Sequence, residues 1–521
     1  MNGATPAEAN PAARRSFLSP LSILVLVGLA SRIFLLNWYG GEYTDGIIQL
    51  QLFENENTYF PPLYPLLASW AKPIVGDPVL AGRLVSLLAL TLVLIPLFHL
   101  TRRLFNSRTA VYAGVLYLCA AVPNRWALRV MSDGLFTLFF TLGLMAFIFS
   151  LGEPDSREIP NLPKKMSRQL SLALSRARLR RWLYLLIAMA GLATLTRYQG
   201  LALLPLIAVS LYRNRKGYTR WELLETLFAV LPWAAFVYWL QVRGFGHTEQ
   251  FVGRVHASAW ETLLAYWDMT ETFLVYFPYA LTVPVFALAV AGFFSRQTSP
   301  LLKVARWMLI YLFALWLPVH AAFQSFQYRY FLPVIPLVLV FAGRGAVALE
   351  EYFHRRRWKG AESLIILILI QSLLFSVAVI YFQRNAFADL TEVGRLIGGQ
   401  NLKGSRVLAA EVYNPGNSNL KLSFWAQQPI PFCEPIERFA FQPGDFVVIS
   451  NVYNSMDRFY KTLSERYQFE VFYRSKDYSL VPLLPDIMVD PPGATSQPLC
   501  MAYRFHRQVY YSYVIKITGL R

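Results

Sequence analysis

Charge is scarce in this chain. Aspartate and glutamate together account for 31 of 521 residues, and charged residues of both signs make up only 15%. Soluble domains carry about 25% charged residues, so this composition excludes an ordinary water-soluble globular protein. Histidine occurs six times and cysteine three times. His99, His320 and His354 share no spacing with a second ligand, so the sequence argues for no metal centre. There is neither a P-loop nor a Gly-rich dinucleotide turn, which argues against direct use of a nucleotide.

Apolar residues are what the chain has in quantity, at 55% hydrophobic and 15% aromatic. Windows of roughly 15 to 22 mostly apolar residues suit membrane crossings. They fall at Leu21 to Trp38, Leu80 to Leu100, Thr109 to Val122, Gly134 to Leu151, Trp182 to Thr196 and Leu201 to Tyr212. Leu223 to Leu240, Phe277 to Phe294, Trp307 to His320, Phe331 to Val347 and Leu364 to Phe382 follow, making eleven expected spans. Thr109 to Val122 and Leu201 to Tyr212 are short enough to shift that count by one or two.

The net charge of +18 is topological rather than a nucleic-acid footprint, because the basic residues sit in short blocks between apolar runs. With a cytoplasmic N-terminus, 25 lysines and arginines lie in inner loops and seven in outer loops. That imbalance sets the orientation, and an odd number of spans then puts everything after Phe382 outside the cytoplasm. Asn37, Trp38 and Tyr39 after the first apolar run offer no small-residue cleavage site, so that run reads as an uncleaved helix.

Three regions follow. Residues 1–19 read as a disordered cytoplasmic tail, 20–382 as a transmembrane domain with outer loops 39–79 and 241–276, and 383–521 as an extracytoplasmic α/β domain. In that last region Arg406 to Ala410, Asp445 to Ser450, Phe469 to Arg474 and Val509 to Ile517 read as strands, and Ser455 to Tyr467 as a helix. An oxidising compartment would permit a Cys433 to Cys500 bridge without requiring it. The basic stretch up to Arg181 reads as a cytoplasmic loop against anionic lipid heads.

In a chain this poor in acids, Glu42, Asp45, Glu54 and Glu56 cluster directly after the first span. Ile47, Leu50 and Phe53 keep helical spacing there, which suits a short interfacial helix, and Pro61, Pro62 and Pro65 imply an extended return path. Arg32, Arg83, Arg129, Arg197 and Arg329 lie at or near the outer ends of spans, against the topological trend. Arg32 sits about 9 Å of helix inside the first span and calls for an anionic partner. Each arginine alone is explained by snorkelling or by pairing with a carboxylate. Together they suit a phosphate carried on a lipid, since guanidinium matches phosphate oxygens with a bidentate fork.

Asp45 is then the carboxylate placed to accept a proton from an attacking hydroxyl, or else the N-cap of the interfacial helix. Glu42 is the fallback base, and Asp133 is a second acid or an N-cap. Arg254 and His256, in an outer loop long enough to act as a lid, are candidate acceptor contacts.

The runs TDGIIQLQLFEN at Thr44 to Asn55, YFPPLYPLLASW from Tyr59 and GDPVLAGRLVSLL ending at Leu88 resemble membrane glycosyltransferases of the GT-C fold. These use polyprenyl-phosphate sugars, and include protein mannosyltransferases and lipid A aminoarabinose transferases. MSDGLFTLFF at Met131 to Phe140, GLATLTRYQGLALLP at Gly191 to Pro205 and QYRYFLPVIPLVLV at Gln327 to Val340 extend the resemblance over roughly Leu21 to Phe382.

The resemblance implies a GT-C-like polytopic α-helical membrane protein of about eleven transmembrane helices, with Asp45 as base of an inverting transfer. It implies Arg197 and Arg329 near the donor phosphate, with Arg32, Arg83 and Arg129 as weaker supports. Many relatives place Glu directly after the catalytic Asp, whereas Gly46 stands here, leaving the second acid's role empty or with Glu42. The expected partners are a polyprenyl-phosphate sugar, the membrane and a glycan, lipid or protein acceptor, and no nucleic acid. No cofactor is required, and a divalent metal is compatible but not indicated. The rival reading is a transporter or flippase for a lipid-linked anion.

Overall fold

A computed structural model describes residues 19–51, 60–151, 164–215, 276–297, 299–323, 328–357, 360–399, 405–410, 418–433, 439–451, 456–481 and 507–521. It also describes isolated residues between 221 and 267, and residues 402, 483 and 484. The expected cytoplasmic tail, Arg254, His256 and Cys500 lie outside the described residues.

Helices cover most of the apolar windows. Pro20–Leu35 is capped by Ser19, whose side chain accepts from the Ser22 N–H, with Pro at its first position. Pro78–Leu92 begins the same way behind Asp77. Four helical stretches among the described residues are long and apolar enough to cross a membrane: Pro78–Leu104, Asp133–Ser150, Leu179–Thr196 and Glu362–Gly399. Pro20–Leu35 and Val283–Phe293 are shorter apolar helices. Further helices run over Ser107–Cys119, Pro300–Phe323 and Ile335–Arg355. The expected span at Leu223 to Leu240 is described only at scattered residues.

Two expectations are corrected. The return path through Pro61, Pro62 and Pro65 is not extended, because the helix Leu63–Val75 starts directly after Pro62. Pro65 falls in its first turn, where an N–H has no intrahelical acceptor to lose. The basic stretch before Arg181 is not a loop from Lys164 onward, since one helix runs unbroken over Lys164–Thr196.

Close packing depends on small residues. A Cβ on Gly345 would collide with the Leu288 carbonyl, and one on Gly292 with that of Phe341, so Val283–Phe293 and Ile335–Arg355 meet backbone to backbone. A continuous apolar core links these helices to Asp133–Ser150, with Tyr117, Phe136, Phe140 and Phe341 buried within it.

Near the C-terminus, β1 (Val407–Ala410), β2 (Phe446–Ser450), β3 (Tyr467–Arg474), β4 (Tyr478–Leu480), β5 (Gln508–Tyr510) and β6 (Ser512–Leu520) form two sheets. The larger has the order β1-β2-β6-β3, and β4 pairs with β5. β1 and β2 are parallel, with Val407 opposite Phe446, and β6 runs antiparallel to both β2 and β3. All residues of β1 and β2 are buried, in keeping with their apolar sequences, and the one polar residue, Ser450, donates to Asp389. The helices Ser418–Ala426 and Met456–Arg466 occupy the connections.

Candidate active site

The short helix Thr44–Leu50 is held down by its buried face, Gly46, Ile47 and Gln49. Its N-cap is Tyr43, with no side-chain cap bond, so Asp45 lies inside the first turn rather than capping it. Gly46 is dictated by packing. A Cβ there would drive into the Val130 carbonyl oxygen and approach the Val130 Cβ to 3.1 Å. A glutamate in place of Gly46 therefore has no room in this chain.

Asp45 accepts from Arg329, Nη2 to Oδ2, at 2.6 Å. Arg329 belongs to the single 3-10 turn Tyr328–Phe331 before the Ile335–Arg355 helix, and its Nη1 lies 3.1 Å from the Met131 sulfur. The Asp45 side chain keeps 35% of its surface exposed, while Arg329 keeps 7%. Burial pulls the Arg329 guanidinium down, but Asp45, with Tyr330 and Asp133, outweighs it and holds its pKa well above the ordinary arginine value.

A second pair lies beside the first. Asp133, the first residue of the Asp133–Ser150 helix, accepts from Arg197 Nη1 at 2.6 Å. The Asp133 side chain is 3% exposed. Arg197 stands in the break between Lys164–Thr196 and the 3-10 helix Tyr198–Leu203. The Tyr330 ring joins the pairs, with the Arg197 guanidinium carbon 6.0 Å and the Arg329 carbon 5.3 Å from its centroid. Trp126 flanks Arg329 at 5.8 Å. The Arg329 Nε, the Trp126 Nε1 and the Ser132 hydroxyl are buried with no hydrogen-bond partner among the described residues.

The remaining candidates are engaged elsewhere. Glu42 is buried, takes Arg83 Nε at 2.6 Å and accepts the Val130 N–H at 3.2 Å. Arg83 also donates to the Tyr39 and Leu36 carbonyls. Arg129 donates to the Gly41 and Gln383 carbonyls and lies over the Tyr39 ring at 3.7 Å.

The expectation that Arg32 needs an anion is corrected. It donates to Asn124 Oδ1 at 3.0 and 3.3 Å and to Thr91 Oγ1 at 3.0 Å, and lies 5.6 Å from the Tyr117 centroid. Neutral acceptors and a ring face carry its charge in place of a carboxylate.

Of the residues picked out in sequence, the structure thus brings together Asp45, Arg329, Asp133 and Arg197. It sets Glu42 with Arg83 in a neighbouring cluster, and puts Arg32 and Arg129 among polar groups of the helix ends. Sequence reasoning passed over Tyr330, Trp126 and Met131 as site residues. Tyr330 was within reach, since it separates Arg329 from Phe331 in the QYRYF run. Trp126 and Met131 carried no local signal, because an aromatic or a methionine near a span end reads first as packing.

The family described as dolichyl-phosphate-mannose-protein mannosyltransferase matches residues 60–158. Among solved structures, ArnT from Cupriavidus metallidurans bound to undecaprenyl phosphate superposes with a TM-score of 0.55 at 16% identity, covering 87% of this chain and 95% of that one. Apo ArnT from the same organism gives 0.55 at 15% identity with the same coverage. The Archaeoglobus fulgidus oligosaccharyltransferase tethered to an acceptor peptide is a weaker likeness, with a TM-score of 0.48 at 12% identity over 87% of this chain and 72% of that one. A search of curated protein sequences finds no match. The fold is therefore the GT-C fold of the polyprenyl-phosphate-sugar-dependent membrane glycosyltransferases that the sequence resembles.

Proposed function

We propose that this protein is an inverting glycosyltransferase that takes a sugar from a polyprenyl monophosphate and joins it to an acceptor hydroxyl at the outer membrane face. The observation that carries the reading is the joining of a partly exposed carboxylate, Asp45, to Arg329, beside a second, more buried pair, Asp133 and Arg197. Asp45 would take the proton of the attacking hydroxyl, whose oxygen then bonds to the anomeric carbon from the face opposite the phosphate. The carbon–oxygen bond to phosphate breaks, and the leaving polyprenyl phosphate gains negative charge. Arg329 and Arg197 are the groups to stabilise that charge. The Trp126 Nε1–H and the Arg329 Nε–H, without a partner among the described residues, suit the same oxygens.

Glu42, buried against Arg83, serves as a structural ion, and Asp133 fixes Arg197. The reading requires no metal ion. The donor carries an undecaprenyl or dolichyl chain, and the acceptor is a glycan, a lipid or a protein. Eleven crossings, a cytoplasmic N-terminus and an extracytoplasmic α/β domain over 383–521 in a bacterial inner membrane complete the proposal. The positive-inside distribution and the match to ArnT, whose described structure holds undecaprenyl phosphate, support it.

The test is transfer of labelled sugar from a set of polyprenyl-phosphate sugars by purified protein, wild type beside Asp45→Asn, with membrane extract as acceptor. Transfer should fall by about 10²-fold or more in the variant while carrier binding persists. Binding of the carrier by both proteins, with no transfer from any donor, would overturn the enzyme reading and favour a flippase.

A further inference from the structure

A second charged cleft lies apart from the Asp45 cluster. It measures about 650 Å³ and is lined by Arg384, Arg395, Lys476, Glu392, Tyr473 and Tyr478, with Trp38 and Gly40 on the side of the first outer segment. That volume falls within the range of ligand sites, about 300–1,000 Å³.

The charges in it do not cancel. Glu392, the one carboxylate among the described residues of the lining, accepts the hydroxyls of both Tyr473 and Tyr478, the latter at 2.5 Å. The cations rest on ring faces instead: Arg384 is 4.1 Å from the Tyr381 centroid and Arg395 is 4.7 Å from that of Trp425. Among the described residues neither arginine, nor Lys476, has a carboxylate partner. Three cations against one carboxylate leave a formal surplus of two positive charges. A phosphate monoester carries about −1.5 to −2 at neutral pH.

Location narrows the ligand. Asn37 and Trp38 come two and three residues after the Pro20–Leu35 helix, and Arg384 directly follows Ala361–Gln383. Both helices expose apolar side chains up to the rim of the cleft, with Phe34 76%, Tyr381 46% and Phe382 42% exposed. Hydrocarbon chains lying along these helices would bring a headgroup to the cations.

We propose that this cleft is a headgroup site for a membrane lipid bearing a phosphate monoester. The guanidinium and ammonium groups neutralise the phosphate, and Trp38, Asn37 and Asn385 line the same space with surfaces suited to the polar remainder of the headgroup. The site does not depend on sugar transfer, and the segment that lines it runs from Gly40 straight into Glu42 and Asp45. The Gly40 N–H donates to the Arg384 carbonyl at 2.9 Å, tying that segment to the cleft wall.

The experiment is native mass spectrometry of the purified full chain in detergent with dioctanoyl phosphatidic acid, dioctanoylglycerol or inorganic phosphate. Phosphatidic acid should bind at least about tenfold more tightly than the neutral lipid. The Arg395→Ala/Lys476→Ala variant should lose about tenfold, whereas Arg395→Lys/Lys476→Arg should keep the affinity. Unchanged binding in the double alanine variant overturns the proposal. That outcome would place the lipid elsewhere, and inorganic phosphate binding as tightly as the lipid overturns the proposal as well. Equal melting temperatures of the two double variants separate lost ligation from lost folding.

Discussion

Arg329 donates to Asp45 across 284 residues of sequence, closing a 2.6 Å contact between a 3-10 turn and the first turn of a seven-residue helix. The pair leaves the carboxylate partly open and the guanidinium nearly closed off. A base needs access and a phosphate clamp needs a low-dielectric setting, so the asymmetry matches the two roles proposed for them.

Replacing Arg329 by Ala should lower kcat/KM for the polyprenyl-phosphate sugar by about 10²- to 10³-fold, the usual scale for losing one electrostatic stabiliser. Arg329→Lys should recover only part, because ammonium lacks the planar fork. Arg197→Ala should behave alike but also release Asp133. Steady-state transfer with labelled donor measures all three, and an unaltered kcat/KM in Arg329→Ala would remove Arg329 from the donor site.

Gly46→Ala should destabilise the protein by about 1–3 kcal/mol, the cost of overpacking a tight site. The added Cβ meets the Val130 backbone, which cannot swing away as a side-chain tip can. An unfolding titration in sodium dodecyl sulfate measures it. Gly46→Glu should cost more, so placing an acid directly after Asp45 should not raise activity here.

Glu42→Gln and Arg83→Ala should each destabilise by about 3–5 kcal/mol, because each leaves the other charge buried alone. The double variant should cost less than the sum of the two. Folded Glu42→Gln protein should still transfer sugar, whereas folded Asp45→Asn protein should fail to transfer. A double-mutant cycle with activity measured per folded molecule separates these behaviours.

The hydrogen bond to Glu392, together with burial, pushes the Tyr473 phenol up to about 12. A raised pKa favours the protonated form in the folded state. Its contribution is therefore complete below the ordinary tyrosine value of 10 and is lost as pH rises from 10 through about 12. Melting temperature should fall over that window, and Tyr473→Phe should lack that component. Thermal unfolding at pH 9 to 12 for both proteins tests it.

Local pattern was enough for much of the chain. The strands read at Arg406 to Ala410, Asp445 to Ser450 and Phe469 to Arg474 correspond to β1, β2 and β3 within two residues at either end, because alternating or unbroken β-branched runs have few other uses. The helix read at Ser455 to Tyr467 appears as Met456–Arg466. Proline positions were harder: Pro65 looks like a break in sequence, yet helps start a helix once its place in the first turn is set.

By itself, the sequence determined that this is a membrane protein, where its apolar helices lie, and that Asp45, Asp133, Arg197 and Arg329 are unusual for their surroundings. Hydrophobic periodicity and the cost of a charge in an apolar setting are local properties, readable without a fold. Only the tertiary structure decided which charge meets which. It joined Asp45 to Arg329 and Asp133 to Arg197, consigned Glu42 to Arg83, and gave Arg32 neutral partners. Pairing is a matter of a few ångströms between segments far apart in the chain, and such distances exist only after the helices have packed.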